Sequence, residues 1–129
     1  MIYLDANFFI FAILDQTEKG DKARLILKEI VNGKKAVTSV LTLDEVMWVF
    51  VKNKEKLRLS GLIHDIYKIP NLTICSVLTN IPLVSLSYLD FLNPRDAFHV
   101  ACMNELGVTE IVTDDSDFDK VKTIKRIKI

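Results

Sequence analysis

Asn93-Pro-Arg-Asp-Ala-Phe-His-Val-Ala-Cys-Met-Asn-Glu-Leu-Gly107, followed after Val108-Thr109 by Glu110-Ile-Val-Thr-Asp-Asp-Ser-Asp-Phe-Asp119, is the stretch that decides the fold. Asn93 is an N-cap, a side chain that accepts from the free N–H groups of a helix start, and Pro94 suits the first helical position. Gly107 supplies the stop. Glu110–Thr113 is rich in β-branched residues and reads as a strand. It runs directly into six residues, four of them Asp. A helix feeding a short apolar strand, with polar residues waiting at the strand's end, is the repeating unit of a parallel sheet.

The same alternation extends outward. Met1–Leu4 is a short apolar run ending at Asp5, and Ala6–Leu14 reads as a helix after it. A polar break at 15–20 precedes a helix from Asp21 to Val31, where Ala23, Ile26, Leu27 and Ile30 fall at helical spacing and Gly33 marks the end. Ala36–Ser39 is a second strand. Thr42 to Lys52 and Lys56 to Ile69 read as helices, the latter closed by Pro70-Asn71. Leu72–Val77 is a third strand, Leu78–Leu92 a further helix with Pro82 near its start, and Ile124–Ile129 a last strand. The lysines and arginine between its isoleucines suit an exposed sheet edge. Strands alternating with helices imply right-handed crossovers. The expected fold is α/β, a three-layer α/β/α sandwich with a mainly parallel sheet of four to five strands. With no repeat, linker or low-complexity segment, residues 1–129 read as one domain.

Composition narrows the function. Half of the 129 residues are hydrophobic and 26% are charged, which suits a packed core and not a disordered chain. Seventeen basic and seventeen acidic residues cancel, so no global basic field is available to hold nucleic acid. Asp (11) outnumbers Glu (6), although Glu is the better helix former. Cys75 and Cys102 lie in apolar stretches without a CxxC partner and read as core thiols. No signal-peptide pattern opens the chain, and no apolar run approaches the roughly 20 residues that span a bilayer. The expected location is cytoplasmic, away from membranes.

The acids fall at telling places. Asp5 follows the first strand, and Asp115 and Asp117 follow the strand ending at Thr113. Glu45 reads as lying in the first turn of the helix after the second strand, and Asp96 in the first turn of the helix opened by Asn93. Ligands of parallel α/β sheets sit outside the carboxyl ends of the strands. Each acid also has a plain alternative. Thr42-Leu-Asp-Glu45 fits a capping box, and Asp96 holds the matching third position. Asp5 could cap the helix beginning at Ala6, and Ser116 or Asp117 the turn after the last of these strands. Singly, capping is the better explanation; jointly, carboxylates gathered on one rim repel and persist mainly when a cation neutralises them. Oxygen ligands without a Cys or His cluster favour Mg²⁺, with Mn²⁺ able to substitute, over Zn²⁺.

Taken in order along the chain, these motifs resemble the PIN-domain ribonucleases, particularly the VapC-like toxins of toxin–antitoxin pairs. Asp5-Ala-Asn7 is similar to the family's opening motif, and Glu45 occupies the place of its acid on the third helix. Pro94-Arg-Asp96-Ala-Phe-His99-Val-Ala101 resembles its Asp-Ala-x-His-x-Ala helix, and Thr113-Asp-Asp115-Ser-Asp117-Phe118 its acidic loop. The resemblance spans essentially the whole chain. It implies a metal-dependent endoribonuclease with Asp5, Glu45, Asp96 and Asp115 as the acidic quartet and Asp117 as an additional or outer metal ligand. Asn7 would steady Asp5 or a metal-bound water. By spacing, His99 stands one turn from Asp96 and either orients it or is a packed helix histidine. Thr113 would support the ligands, whereas Asp114 fills a variable position. Ala6 departs from the family, which often has Ser or Thr there. The implied partners are an RNA substrate, a VapB-type antitoxin and a second copy in a homodimer. Arg95, Lys120 and Lys122 are candidate cations for the RNA backbone, and the apolar residues Phe8, Phe9, Phe11, Trp48, Val49 and Val51 candidate contacts for a partner.

Three alternatives differ in kind. A receiver-like Mg²⁺-binding signalling domain should carry adjacent acids after its first strand and a Lys after a late one, but this chain has a lone Asp5 and Thr113-Asp114. A phosphatase of the haloacid-dehalogenase type wants Asp-x-Asp where this chain has Asp5-Ala-Asn7. A catalytically silent PIN-like binding module would keep the fold without cleavage.

Overall fold

The computed structural model describes residues 1–129. Five strands, β1 (Ile2–Leu4), β2 (Ala36–Ser39), β3 (Leu72–Cys75), β4 (Glu110–Val112) and β5 (Lys125–Ile127), form one sheet in the order β3-β2-β1-β4-β5. Every pairing is parallel. The helices are α1 (Ala6–Leu14), α2 (Glu18–Val31), α3 (Val40–Lys52), α4 (Leu59–Tyr67), α5 (Ile81–Ser85) and α6 (Pro94–Leu106).

Alternation along the central strands assigns the two faces. Ile2, Leu4, Ala36 and Val112 enter one core with Phe8 and Phe9 of α1, Ala23 and Ile30 of α2, Val46 and Phe50 of α3 and Ile66 of α4. Tyr3, Val37 and Ile111 point the opposite way, to Ile81 of α5 and Ala97, Val100, Ala101 and Met103 of α6. The period of two in a pleated strand, with both faces covered, thus produces the three-layer sandwich. The chain builds outward from β1 through β2 to β3, then crosses β1 to place β4 on its other side. The direction of growth reverses between β1 and β4, so a crevice opens at their carboxyl ends.

Several boundaries differ from the sequence reading, for identifiable reasons. α2 begins at Glu18, three residues early, and Gly20 in its first turn stands where a Cβ would collide with the Asp15 carbonyl oxygen. α3 begins at Val40 because Ser39, at the end of β2, is its cap. The expected helix over 78–92 is instead α5 followed by a 3₁₀ turn at Leu86–Tyr88. There the hydroxyls of Ser85 and Ser87 donate to the carbonyls of Pro82 and Val84, a local competition that discourages a regular helix. Lys56–Arg58 is likewise a 3₁₀ turn leading into α4. On the β5 edge, Lys125 pairs with Glu110 and Arg126 grips Asp119 through two bonds, so these cations serve the edge.

Candidate functional site

The crevice at the carboxyl ends of β1 and β4 holds the acids. Register pairs Leu4 with Val112, so the next residues, Asp5 and Thr113, emerge side by side. Asp5 caps α1, its Oδ1 accepting from the Ala6 N–H at 2.7 Å. Its Oδ2 accepts from the Thr113 hydroxyl at 2.7 Å and from Asn7 Nδ2 at 3.3 Å. Capping and site formation therefore use different oxygens of one carboxylate. Asn7 donates further to Thr113 Oγ1 at 3.2 Å.

Thr113 organises the acidic loop as well. Its Oγ1 accepts from the Asp115 N–H at 3.1 Å, and Asp115 Oδ1 accepts from the Asp117 N–H at 2.8 Å. These bonds bend residues Ser116–Lys120 into a 3₁₀ turn, pinned by the fully buried Phe118. Asp96 is held from its own cap: Asn93 Nδ2 donates to Asp96 Oδ2 at 2.8 Å while Asn93 Oδ1 accepts from the Asp96 N–H at 3.0 Å.

Glu45 lies in the second turn of α3, so the Thr42 capping box does not form; Thr42 N–H instead donates to Ser39 Oγ at 3.3 Å. Its Oε1 stands 2.6 Å from His99 Nε2 and 3.7 Å from Arg95 Nε. His99, expected to orient Asp96, reaches across from α6 to α3 and pairs with Glu45. Its Nε2 is also 3.9 Å from Asp5 Oδ1. The opposite ring nitrogen, Nδ1, is 2.8 Å from the Tyr3 hydroxyl, which donates to Ser39 Oγ at 2.9 Å. Tyr3 and Ser39 escaped the sequence reading. The available signal was a tyrosine in an otherwise aliphatic buried strand, whose hydroxyl must find a partner.

The acids thus form two neighbouring groups. Ligand atoms of Asp5, Glu45 and His99 lie within 4.8 Å of one another, as do those of Asp96, Asp115 and Asp117. The groups sense each other electrostatically. Burial first, then the charges of Asp115 and Asp5, push Asp96 up to about 6. Burial likewise raises Asp5, against the opposing effects of His99 and the Thr113 bond. For His99, burial disfavours the charged ring, but the Glu45 bond and the surrounding carboxylates outweigh it and raise its pKa. Carboxylates whose ionisation is opposed by burial and by one another are a site that a cation would stabilise. The donor set of Asp96, Asp115 and Asp117 is oxygen only, which fits a hard divalent ion.

Other charged candidates are engaged elsewhere. Asp114 turns away to Lys19 at 2.5 Å, in keeping with its variable place in the loop. Lys120 pairs with Asp117 at 2.8 Å. Arg95, more than half exposed, stays at the rim. Phe8 and Phe9 are buried and Phe11 is half-buried, whereas Met47, Trp48 and Val51 of α3 face solvent. An apolar cavity of about 580 Å³ between α1, α3 and α4 contains none of the converging acids and is lined chiefly by residues such as Phe9, Ile13, Leu57 and Leu62. No helix is long and apolar enough to cross a membrane.

Comparison with known proteins agrees with this architecture. Ribonuclease VapC13 of Mycobacterium tuberculosis is 25% identical over 137 residues, covering 98% of this chain and 99% of its own. The structure of VapBC2 from Rickettsia felis bound to a promoter DNA fragment matches with a TM-score of 0.76 at 17% identity, over 99% of this chain and 98% of that one. VapC20 of M. tuberculosis, a toxin that cleaves the sarcin-ricin loop, matches with a TM-score of 0.77 at 13% identity, over 93% and 94%. At such identities the superpositions speak for the fold. The model of the PIN domain family matches residues 2–124, nearly the whole chain, and with it β1 to β4, the crevice and every acid described above: the chain belongs to the PIN domain family.

Proposed function

We propose that this protein is the ribonuclease toxin of a VapBC-type pair, acting as one domain in the cytoplasm and hydrolysing RNA phosphodiester bonds with Mg²⁺ or Mn²⁺. The observation that carries this reading is the meeting of Asp5, Glu45, Asp96 and Asp115, from four separate segments, in one crevice at the sheet's carboxyl edge. The names of the VapC ribonuclease relatives support RNA as the substrate.

Asp96, Asp115 and Asp117 would hold the ion, with Asp5 and Glu45 beside them. When bound, the metal lowers the pKa of a coordinated water and offsets charge on the reacting phosphate. The chain's own groups do the rest. Thr113 and Asn7 fix the Asp5 carboxylate through its Oδ2. Asn93 fixes Asp96. Arg95 at the rim offers a fork of donors suited to a backbone phosphate. With a net charge of zero and an acidic crevice, the protein would hold RNA weakly without metal.

For partners we infer a VapB-type antitoxin, because the solved relatives include toxin–antitoxin complexes from R. felis, Klebsiella pneumoniae and Salmonella typhimurium, and a second copy of the chain, for which the exposed apolar residues of α3 are the support. Exposed Met47, Trp48 and Val51 and the apolar cavity beside α4 supply surface for them. The test is cleavage of labelled RNA with Mn²⁺ by the wild type and by Asp96→Asn. Loss of cleavage in a folded variant is expected, and equal cleavage by both would remove the reading.

A further inference from the structure

Net charge is zero and the crevice is acidic, so a polyanion drawn to it depends on the cations that stand at its rim. Several basic side chains are occupied elsewhere. Lys22, Arg24 and Arg58 pair with carboxylates one helical turn away, and Lys125 and Arg126 with acids at the β5 edge. Arg95 stands beside Glu45 and Lys120 holds Asp117, so both touch the converging acids. Lys19 differs. Its Nζ rests 2.5 Å from the carboxylate of Asp114, which lies between Thr113 and Asp115 and belongs to neither acidic group. The corner between α1 and α2 is built to hold Lys19 there. The Asp15 carboxylate accepts from the Thr17 N–H at 2.6 Å and from the Gly20 N–H at 3.3 Å, closing the turn around residue 19. Arg24 Nη1 donates to the carbonyls of Ala12 at 3.2 Å and Asp15 at 2.8 Å, which straps the end of α1 to α2. The Lys19 ammonium lies 5.4 Å from the centre of the Phe11 ring, a cation–π contact that steadies it. The side chain is still 46% exposed.

α2 covers one face of the sheet and α6 the other, so Lys19 and Arg95 flank the carboxyl edge from opposite sides. An exposed ion pair contributes little, so the ammonium can exchange Asp114 for another anion at small cost. A backbone phosphate is such an anion, and lysine binds it as a point charge. We propose that Lys19 binds a backbone phosphate of the RNA on the α2 side of the crevice, opposite Arg95, and that Asp114 holds its ammonium in place while no RNA is bound. Because Asp114 lies outside both acidic groups, the exchange leaves their side chains as they are. A contact to phosphate adds affinity without reading sequence. The proposal rests on RNA being the substrate, as the ribonuclease reading has it.

The test compares Lys19→Gln, Asp114→Asn and Lys22→Gln in the full chain, Lys22 being a control for charge on the same helix. Binding is read by anisotropy of two short fluorescein-labelled single-stranded RNAs of different sequence, with Mn²⁺ and in an Asp96→Asn background that leaves them uncut. Cleavage kinetics are read in the otherwise wild-type chain. Lys19→Gln should weaken binding of both RNAs alike, by about three- to tenfold, and flatten the slope of log affinity against log salt by about 0.7, the value for one phosphate of a single strand. KM should rise by the same factor while kcat stays within about twofold. Lys22→Gln should leave the slope unchanged. Asp114→Asn releases the ammonium and removes a repelling charge, so it should tighten binding by about twofold or more. A lysine that only ties the acidic loop in place predicts the opposite pattern: Lys19→Gln and Asp114→Asn break the same tie, and both weaken binding or lower kcat. That result overturns the proposal, as does a salt slope that Lys19→Gln does not alter or that Lys22→Gln alters equally. A wild type that neither binds nor cuts RNA removes the ribonuclease reading and the phosphate contact with it, whereas RNA bound and cut normally by Lys19→Gln removes the contact alone.

Discussion

Asp96→Asn should stabilise the metal-free protein while destroying its response to metal. In the folded chain, burial and the charges of Asp115 and Asp5 raise Asp96 from 3.8 to about 6. The folded state therefore holds a proton that the unfolded state has released, and the wild type loses stability as pH rises from about 4 to about 6. Two pK units correspond to about 3 kcal/mol for a fully buried group. Asp96 is only half-buried, and solvent screening reduces this to about 1 kcal/mol. Asn is nearly isosteric and can still accept from Asn93 Nδ2, so the substitution removes the charge without opening a cavity. At about 2.1 cal/mol/K per residue, 1 kcal/mol raises the melting temperature of a chain this size by about 4 °C. The gain should be full at pH 7, shrink through pH 5 and vanish below about pH 4. Adding Mn²⁺ at about a hundred times its dissociation constant should stabilise the wild type by about 2.7 kcal/mol and reverse the order. Calorimetric melting of both proteins in EDTA and in Mn²⁺, at about pH 4, 5.5 and 7, measures all three effects. A variant less stable than wild type at neutral pH in EDTA, or a gain independent of pH, would refute the argument that like charges crowd Asp96.

Other expectations rest on single contacts. Thr113→Val removes the hydroxyl that donates to Asp5 and accepts from Asp115 N–H. Mn²⁺ affinity should drop about 10- to 100-fold, read by calorimetric titration, with a folding cost of about 1–3 kcal/mol. Phe118→Ala empties the fully buried anchor of the acidic loop and should cost about 3–5 kcal/mol in urea unfolding. Trp48 is 64% exposed on α3. If that face joins two copies, light scattering should find a dimer for the wild type and a monomer for Trp48→Glu at equal stability.

Part of this site could be read before the structure because its positions are local. Asp5, Asp96 and Asp115 each stand where a strand ends or a helix begins, and strand ends and N-caps leave marks such as Asn93-Pro94 within a few residues. Parallel topology then does the gathering, since it sends every strand's carboxyl end to one rim. Glu45 was located for the wrong local reason: Ser39, not Thr42, caps α3, so its partner is a tertiary one. No spacing rule connects residue 45 to residue 99 or residue 3 to residue 39; those pairings arise only when α6 packs against the Tyr3 face of the sheet. The region 78–92 failed for a similar cause, because serine hydroxyls and a proline tip a weak helical pattern toward a broken one. Phe8 and Phe9 misled in the opposite sense, since the all-round apolar character of α1 reflects burial between the sheet, α2 and α3.

Diffraction at the manganese edge from crystals grown with millimolar Mn²⁺ tests the central claim most directly. An anomalous peak within about 2.2 Å of carboxylate oxygens from Asp96 and Asp115 is the expected result. Well-ordered crystals with no peak in the crevice, or with the ion bound on another surface, would contradict it.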